Sequence, residues 1–326
     1  MTAYAALKSR LAAGEAVILD GPTGTELQRR GARMDPAAWC GPATLANDRL
    51  LIDIHADYIT AGAEIVTANT FAASGLMLGA AGLADRAEEI VTRAVAAALA
   101  ARERAGVPGV VVAGSLSHMM PMASGSAVLD PRLLPSEGAM SEAFHVLARQ
   151  LRDSGCELIL LEMMYHPMRA RLALAAALAT GLPVWFGLSA RRTRAGGVAS
   201  FHAFDEIGLA DIAALIPATG VDAAGVMHTD ASIIGAALAV VRRHFAGPLM
   251  AYPDSGYFEM PDWQFVDVIG PERFGAFCAE WLAAGAQLIG GCCGLTPSHI
   301  RAATRARDAA RAGGGGTATA RGGGTI

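Results

Sequence analysis

Two cysteines stand side by side among glycines, in Gly290-Gly291-Cys292-Cys293-Gly294, and Leu295-Thr296-Pro297-Ser298-His299 follows. Ala286-Gln287-Leu288-Ile289 before them reads as a buried strand. Thr296 and Pro297 after them open a helix as N-cap and first helical residue. The thiols therefore sit at a strand-to-helix turn, where the positive helix end favours thiolate over thiol. Two thiolates at such a turn suit a soft metal. The pair is equally compatible with a strained vicinal disulfide or with two small buried residues. The glycines weigh toward chemistry, because they permit φ > 0 and close backbone approach.

Elements that position these thiols recur along the chain. Short apolar runs at Val17–Asp20, Ile65–Ala68, Val110–Ala113, Leu158–Leu161, Val184–Leu188, Ala224–Met227, Leu249–Tyr252 and Gln287–Ile289 alternate with longer amphipathic segments. The runs are continuously apolar, as strands of a parallel sheet covered by helices must be. Many helical segments end in glycine, at Gly62, Gly106, Gly155, Gly181, Gly220, Gly247, Gly285 and Gly313, where a C-cap needs one. Eight strand-then-helix units predict an α/β fold, a single-domain (β/α)8 TIM barrel over residues 1–312. A doubly wound open sheet is the runner-up, and the count of eight weighs against it. The Gly/Thr/Ala-rich residues 313–326 are expected to be a disordered tail.

In such a barrel the chemistry gathers where the strands end. Those exits carry Asp20-Gly21, Thr67-Ala68-Asn69-Thr70, Ser115, Glu162, Ser189, His228, Asp254 and Cys292-Cys293. A carboxylate closing an apolar run, as Glu162 closes Leu158–Leu161, is costly unless it is paired. Glu162 is therefore a functional candidate.

Composition bounds the partners. The 326 residues are 53% hydrophobic and only 17% charged, with a net charge of −4, so a large core is available. No basic footprint for nucleic acid or an anionic membrane is present. Leu172–Ala190 lacks charge, but Gly181 and Pro183 divide it into a helix end and a strand rather than a membrane span. Five cysteines in so long a chain are no disulfide framework and fit a reducing cytoplasm. Met1–Gly14 has no apolar run and cleavage site of a secretory leader.

The ordered set of motifs resembles the homocysteine S-methyltransferase family, which includes the betaine-using and S-methylmethionine-using enzymes. The matching pieces are Asp20-Gly21-Pro22-Thr23-Gly24-Thr25-Glu26-Leu27, the stretch from His55 to Phe71, Leu160-Leu161-Glu162, Tyr252-Pro253-Asp254-Ser255-Gly256 and the Cys292-Cys293 motif. They span residues 10–305. The resemblance implies Zn2+ as cofactor, a small-molecule thiol as acceptor, a methyl donor, and methionine or a related thioether as product. Two ligands match Cys292 and Cys293. The family's third ligand is a cysteine in a Gly-Val-Asn-Cys pattern, where this chain reads Gly225-Val226-Met227-His228. His228 is thus expected as the third ligand, which makes the site one unit less negative and its metal a stronger Lewis acid, the opposite reading being that zinc is lost and His228 is a hydrogen-bonding residue. By the same resemblance Asp20, Gly21, Glu26, Thr67, Asn69, Thr70 and Glu162 bind the substrate, with Asp20 and Glu162 at its ammonium. Asp254 stands where the family more often has asparagine. A second reading keeps the Cys2His metal but lets it activate water, as a hydrolase or lyase. A non-catalytic thiol- or metal-binding relic is the third. The sequence leaves a homo-oligomer open and names neither donor nor acceptor.

Overall fold

The computed structural model describes residues 1–121, 129, 134–202 and 207–314. The elements run in the order α1 (Ala3–Ala12), β1 (Val17–Ile18), α2 (Thr23–Arg29), α3 (Asp48–Thr60), β2 (Ile65–Ala68), α4 (Gly75–Ala80), α5 (Ala87–Ala105), β3 (Val111–Ser117), α6 (Glu137–Asp153), β4 (Leu158–Met164), α7 (Pro167–Leu178) and β5 (Val184–Leu188). Then follow β6 (Ala190–Arg192), β7 (Val198–Ser200), α8 (Leu209–Ala213), β8 (Ala223–Asp230), α9 (Ile234–Arg242), β9 (Leu249–Asp254), β10 (Tyr257–Glu259), β11 (Asp262–Gln264), α10 (Pro271–Ala283), β12 (Ala286–Ile289) and α11 (Pro297–Gly314). Eight strands form one parallel sheet in the order β1-β12-β9-β8-β5-β4-β3-β2. This is the expected barrel. The pairing of β1 with β12 excludes the open doubly wound order, in which the first and last strands do not meet.

The barrel closes narrowly. Between β1 and β2 the backbone ladder is reduced to a bridge from Leu19 to Ile65, with the Glu64 N–H on the Ile18 carbonyl at 2.8 Å. Successive side chains along a strand face opposite sides. Val17, Leu19, Ile65, Val111, Ala113, Leu158, Leu160, Trp185, Met250 and Leu288 fill the inside. Ile18, Val66, Val112, Ile159, Phe186, Val226 and Ile289 meet the helices outside. Burial on both faces is why the runs read as continuously apolar.

The helix α1, not foreseen from the sequence, plugs one end of the barrel. Tyr4, Leu7 and Leu11 join the interior cluster, and the Tyr4 hydroxyl donates to Asp222 at 2.7 Å while accepting from the Trp185 indole at 3.0 Å. Two antiparallel hairpins, β6–β7 and β10–β11, were likewise not foreseen. They follow β5 and β9 and stand at the mouth with the chemical residues. The first turn expected at Asp205 falls partly on residues outside the described set, as does the expected tail beyond Gly314. No helix among the described residues is long and apolar enough to cross a membrane.

Candidate metal centre and active-site cleft

The thiol pair is held by its backbone. Past the end of β12, the Gly291 N–H donates to the Asp20 carbonyl at 3.1 Å, and the Cys292 N–H to the Pro253 carbonyl at 2.6 Å. The Ser255 N–H donates to the Cys293 carbonyl at 2.9 Å. The turn then reverses at Gly294, where φ is +84° and any Cβ would collide with the Ser255 carbonyl oxygen. Only glycine fits there. From the other side, α2 grips the same turn: the Thr25 hydroxyl accepts the Gly294 N–H at 3.2 Å, and Arg29 donates to the Gly294 carbonyl at 2.8 Å.

His228 arrives from β8, at a break in register between Met227 and Asp230 against β9. Its φ is +43°, a left-handed conformation that costs a non-glycine residue energy and concentrates at functional sites. Crosslinks between strand ends hold it: the Ser189 hydroxyl donates to the Met227 carbonyl at 2.8 Å, and the Ala190 N–H donates to the Thr229 hydroxyl at 2.9 Å. Glu162 arrives from β4 at a similar break, between Leu161 and Met164 against β5. Both irregularities turn a polar side chain inward, a common use of bulges beside active sites.

The three predicted ligands converge. One ligand atom each from His228, Cys292 and Cys293 lies within 4.8 Å of the others, all three residues being buried. The two Sγ atoms are 3.7 Å apart, and Cys292 Sγ lies 3.2 Å from His228 Nδ1. A tetrahedral zinc with Zn–S of about 2.3 Å and Zn–N of about 2.0 Å would set these separations near ~3.8 and ~3.5 Å. The donor set therefore fits a metal ion with little adjustment. Burial raises Cys292 well above an ordinary thiol. The contact from Cys292, with help from His228, lowers Cys293 to about 6. Burial disfavours an imidazolium at His228, yet Cys293 and Glu162 beside it outweigh that and raise it to about 10. Metal ligation requires thiolates and a neutral imidazole, so a divalent cation binding to this cluster would displace its protons.

Around this centre the expected substrate residues divide. Gly21, Thr67, Asn69 and Glu162 line a narrow inner pocket with Cys40, Tyr252 and both thiols. Asn69 is fixed there by donating to the Cys40 carbonyl at 3.0 Å and Thr44 at 3.1 Å. Glu162 accepts from the Ser115 hydroxyl and sits 2.8 Å from His228 Nε2. Asp20 lies behind the pocket wall, accepting from Thr67 and Tyr252. Burial raises it to about 8 despite those donors. Thr70 turns away and donates to the Ser115 carbonyl at 2.8 Å. Glu26 also departs from its expected place: it is paired with Arg29 and Arg30, both at 2.9 Å. Its spacing to those arginines, i+3 and i+4 on a helix, was the available signal.

A larger cleft of about 570 Å³ opens over Cys293 and His228. Its wall carries several aromatic side chains, among them Trp39, Phe71, Tyr165, Tyr257, Phe258 and Trp263. Phe71 stacks on the His228 ring, centroids 5.2 Å apart. Trp39 sets its edge against Phe71 and Phe258. Arg191 and Arg192 also line the cleft, a placement that the charged sequence after β5 did not distinguish from a solvated loop. Asp254 stands half-buried at the rim, raised to about 7 by loss of water. His118 does not reach the cleft: it is buried, and its Nε2 accepts the Tyr165 N–H at 3.0 Å.

Residues 17–307 match the family model described as homocysteine S-methyltransferase. A maize protein named homocysteine S-methyltransferase 4 is 30% identical, over 90% of each chain. Among solved structures, the homocysteine methyltransferase MmuM of Escherichia coli aligns at 25% identity in its oxidized, metallated and apo forms. The oxidized form gives a TM-score of 0.73, covering 91% of this chain and 99% of that one. The metallated form gives 0.70, covering 92% and 99%. The chain belongs to the homocysteine S-methyltransferase family, a family of methyltransferase enzymes.

Proposed function

We propose that this protein moves a methyl group from a sulfonium-type or betaine-type donor to the thiol of homocysteine or a similar thiol, with Zn2+ held by His228, Cys292 and Cys293. The observation that carries the proposal is the convergence of those three side chains where the inner pocket meets the aromatic cleft. A bound zinc ion would supply the charge that keeps an acceptor sulfur as thiolate, the nucleophilic form, at neutral pH.

The chain's own groups supply the rest. Gly21, Thr67 and Asn69 offer the inner pocket the backbone and polar groups that an amino-acid end requires. The aromatic side chains of Trp39, Phe71 and Phe258 line the cleft, where a methylated cation would gain from contact with their π systems. An acceptor in the inner pocket and a donor in the cleft meet over Cys293, which borders both. Alignment of sulfur and methyl carbon is the main catalytic contribution open to such a site. Methyl transfer is favoured over the water-activating hydrolase or lyase reading because the matching family model and the relatives are methyltransferases.

The test incubates purified protein with homocysteine and, separately, S-methylmethionine, S-adenosylmethionine or betaine. Methionine formation and zinc content are measured together. The proposal expects methionine from at least one donor and one zinc per chain. Bound zinc with no methionine from any donor would overturn it.

A further inference from the structure

We infer that Glu162 is a positioning residue for His228: it holds the ring by Nε2 and so presents Nδ1 to the two thiols and the metal between them. This rests on the reading of His228 as a ligand. The need for such a group follows from the residue type. A cysteine offers one ligand atom and requires no choice of tautomer. A histidine offers two nitrogens, and a ligating imidazole is normally fixed by a partner on the other one.

The geometry supplies that partner. Glu162 Oε1 lies 2.8 Å from His228 Nε2, with both side chains buried. Cys292 Sγ is nearly equidistant from the two nitrogens, 3.2 Å from Nδ1 and 3.3 Å from Nε2. Since Nε2 is committed to the carboxylate, Nδ1 is the nitrogen left for the metal. The carboxylate is itself fixed, because its other oxygen accepts the Ser115 hydroxyl. The Ser115 carbonyl is in turn held by the Thr70 hydroxyl at 2.8 Å. Phe71, stacked on the imidazole, fixes the ring plane. Thr70, just past β2, Ser115 of β3 and Glu162 of β4 thus form a chain that ends on the His228 ring of β8. Each Glu162 oxygen already holds one partner, and the carboxylate keeps lone pairs for a further donor.

The test is a metal titration on the full chain, with Zn2+ in competition with a chromophoric chelator. Wild type, Glu162→Gln, His228→Cys, the double variant and His228→Ala are compared. Glu162→Gln is expected to weaken Zn2+ binding by about 10- to 100-fold where residue 228 is histidine. In the His228→Cys background the same change should cost less than about threefold, because no ring remains to orient. Equal losses in both backgrounds, or none in the histidine background, would overturn the inference. The ligand reading fails separately: His228→Ala would then bind Zn2+ as tightly as wild type, or His228→Cys would not bind it.

Discussion

The Asp20 carboxylate takes the place of a strand at the seam of the barrel. Where the β1–β2 ladder stops, the Thr67 N–H donates to Asp20 Oδ2 at 2.6 Å, and the Thr67 hydroxyl reaches Oδ1 at 3.2 Å. Tyr252 donates to Oδ1 as well, from β9, at 3.1 Å. A buried backbone N–H must be paired, and here a side chain pairs it. The first residue of the Asp20-Gly21 motif is thereby part of the barrel's closure as well as of its mouth.

Its ionisation makes that closure pH-dependent. Burial raises Asp20 to about 8 in the fold, against an unfolded value of about 3.9. A raised carboxyl contributes stability fully below its unfolded pKa and loses it as pH climbs through the folded one. The amide of the Asp20→Asn variant cannot ionise. Wild-type stability measured relative to that variant should fall by about 1 kcal/mol or more between pH 5 and pH 8. Urea denaturation of both proteins across this range checks it, and a flat difference would sink the idea.

Glu26 stabilises the thiol turn rather than the substrate. It orients Arg29, whose guanidinium donates to the Gly294 carbonyl directly after Cys293. Both contacts are charge-assisted, and the carboxylate is buried. Glu26→Gln should cost about 1–3 kcal/mol of folding stability. The KM for homocysteine, taken below the melting range, should stay within about twofold of wild type. A large rise in KM with unchanged stability would return Glu26 to the binding site.

Each thiol should be needed for the metal. Cys292→Ser and Cys293→Ser replace a soft sulfur by a hard, poorly ionised hydroxyl at a site whose spacing suits zinc. Zinc content should fall below half an equivalent in both variants. Methyl transfer should drop by about two orders of magnitude or more, as loss of several kcal/mol of Lewis-acid stabilisation requires. Full activity in a zinc-free variant is the result that contradicts this.

Much of this was legible in the sequence, and the losses have physical causes. Strand periodicity is local, so the eight runs and their order could be read. The positive-φ glycines at Gly62, Gly106, Gly155, Gly181, Gly220 and Gly285 are where a C-cap was expected. Gly247 and Gly313 are not among them, because α9 ends earlier, at Arg242, and α11 runs on to Gly314. The sequence marked Glu162 by residue type at a strand exit, and Asp20 and Glu26 by family resemblance. It did not tell which way each carboxylate turns, since that depends on Thr67, Arg29 and His228 brought in by other elements. The plug α1 had its own signal, Tyr4, Leu7 and Leu11 at helical spacing behind the Thr2 cap. The aromatic wall had little signal, because Trp39, Phe258 and Trp263 come from loops and a hairpin without periodicity.

That wall yields a prediction about donor charge. Phe258 lines the cleft and packs edge-on against Trp39, ring centroids 5.5 Å apart. A methylated sulfonium or ammonium beside these rings gains about 0.5–2 kcal/mol from the π faces. Phe258→Leu keeps the apolar bulk and removes one face, so it should raise the KM for a cationic donor by about 2- to 30-fold. Phe258→Tyr keeps the face and should leave that KM near wild type. The KM for homocysteine should not move in either variant, because Phe258 is absent from the inner pocket. Initial-rate kinetics with each substrate varied in turn separate the effects. Equal donor KM values in the leucine and tyrosine variants would mean that Phe258 contributes shape to the cleft and not its ring electrons.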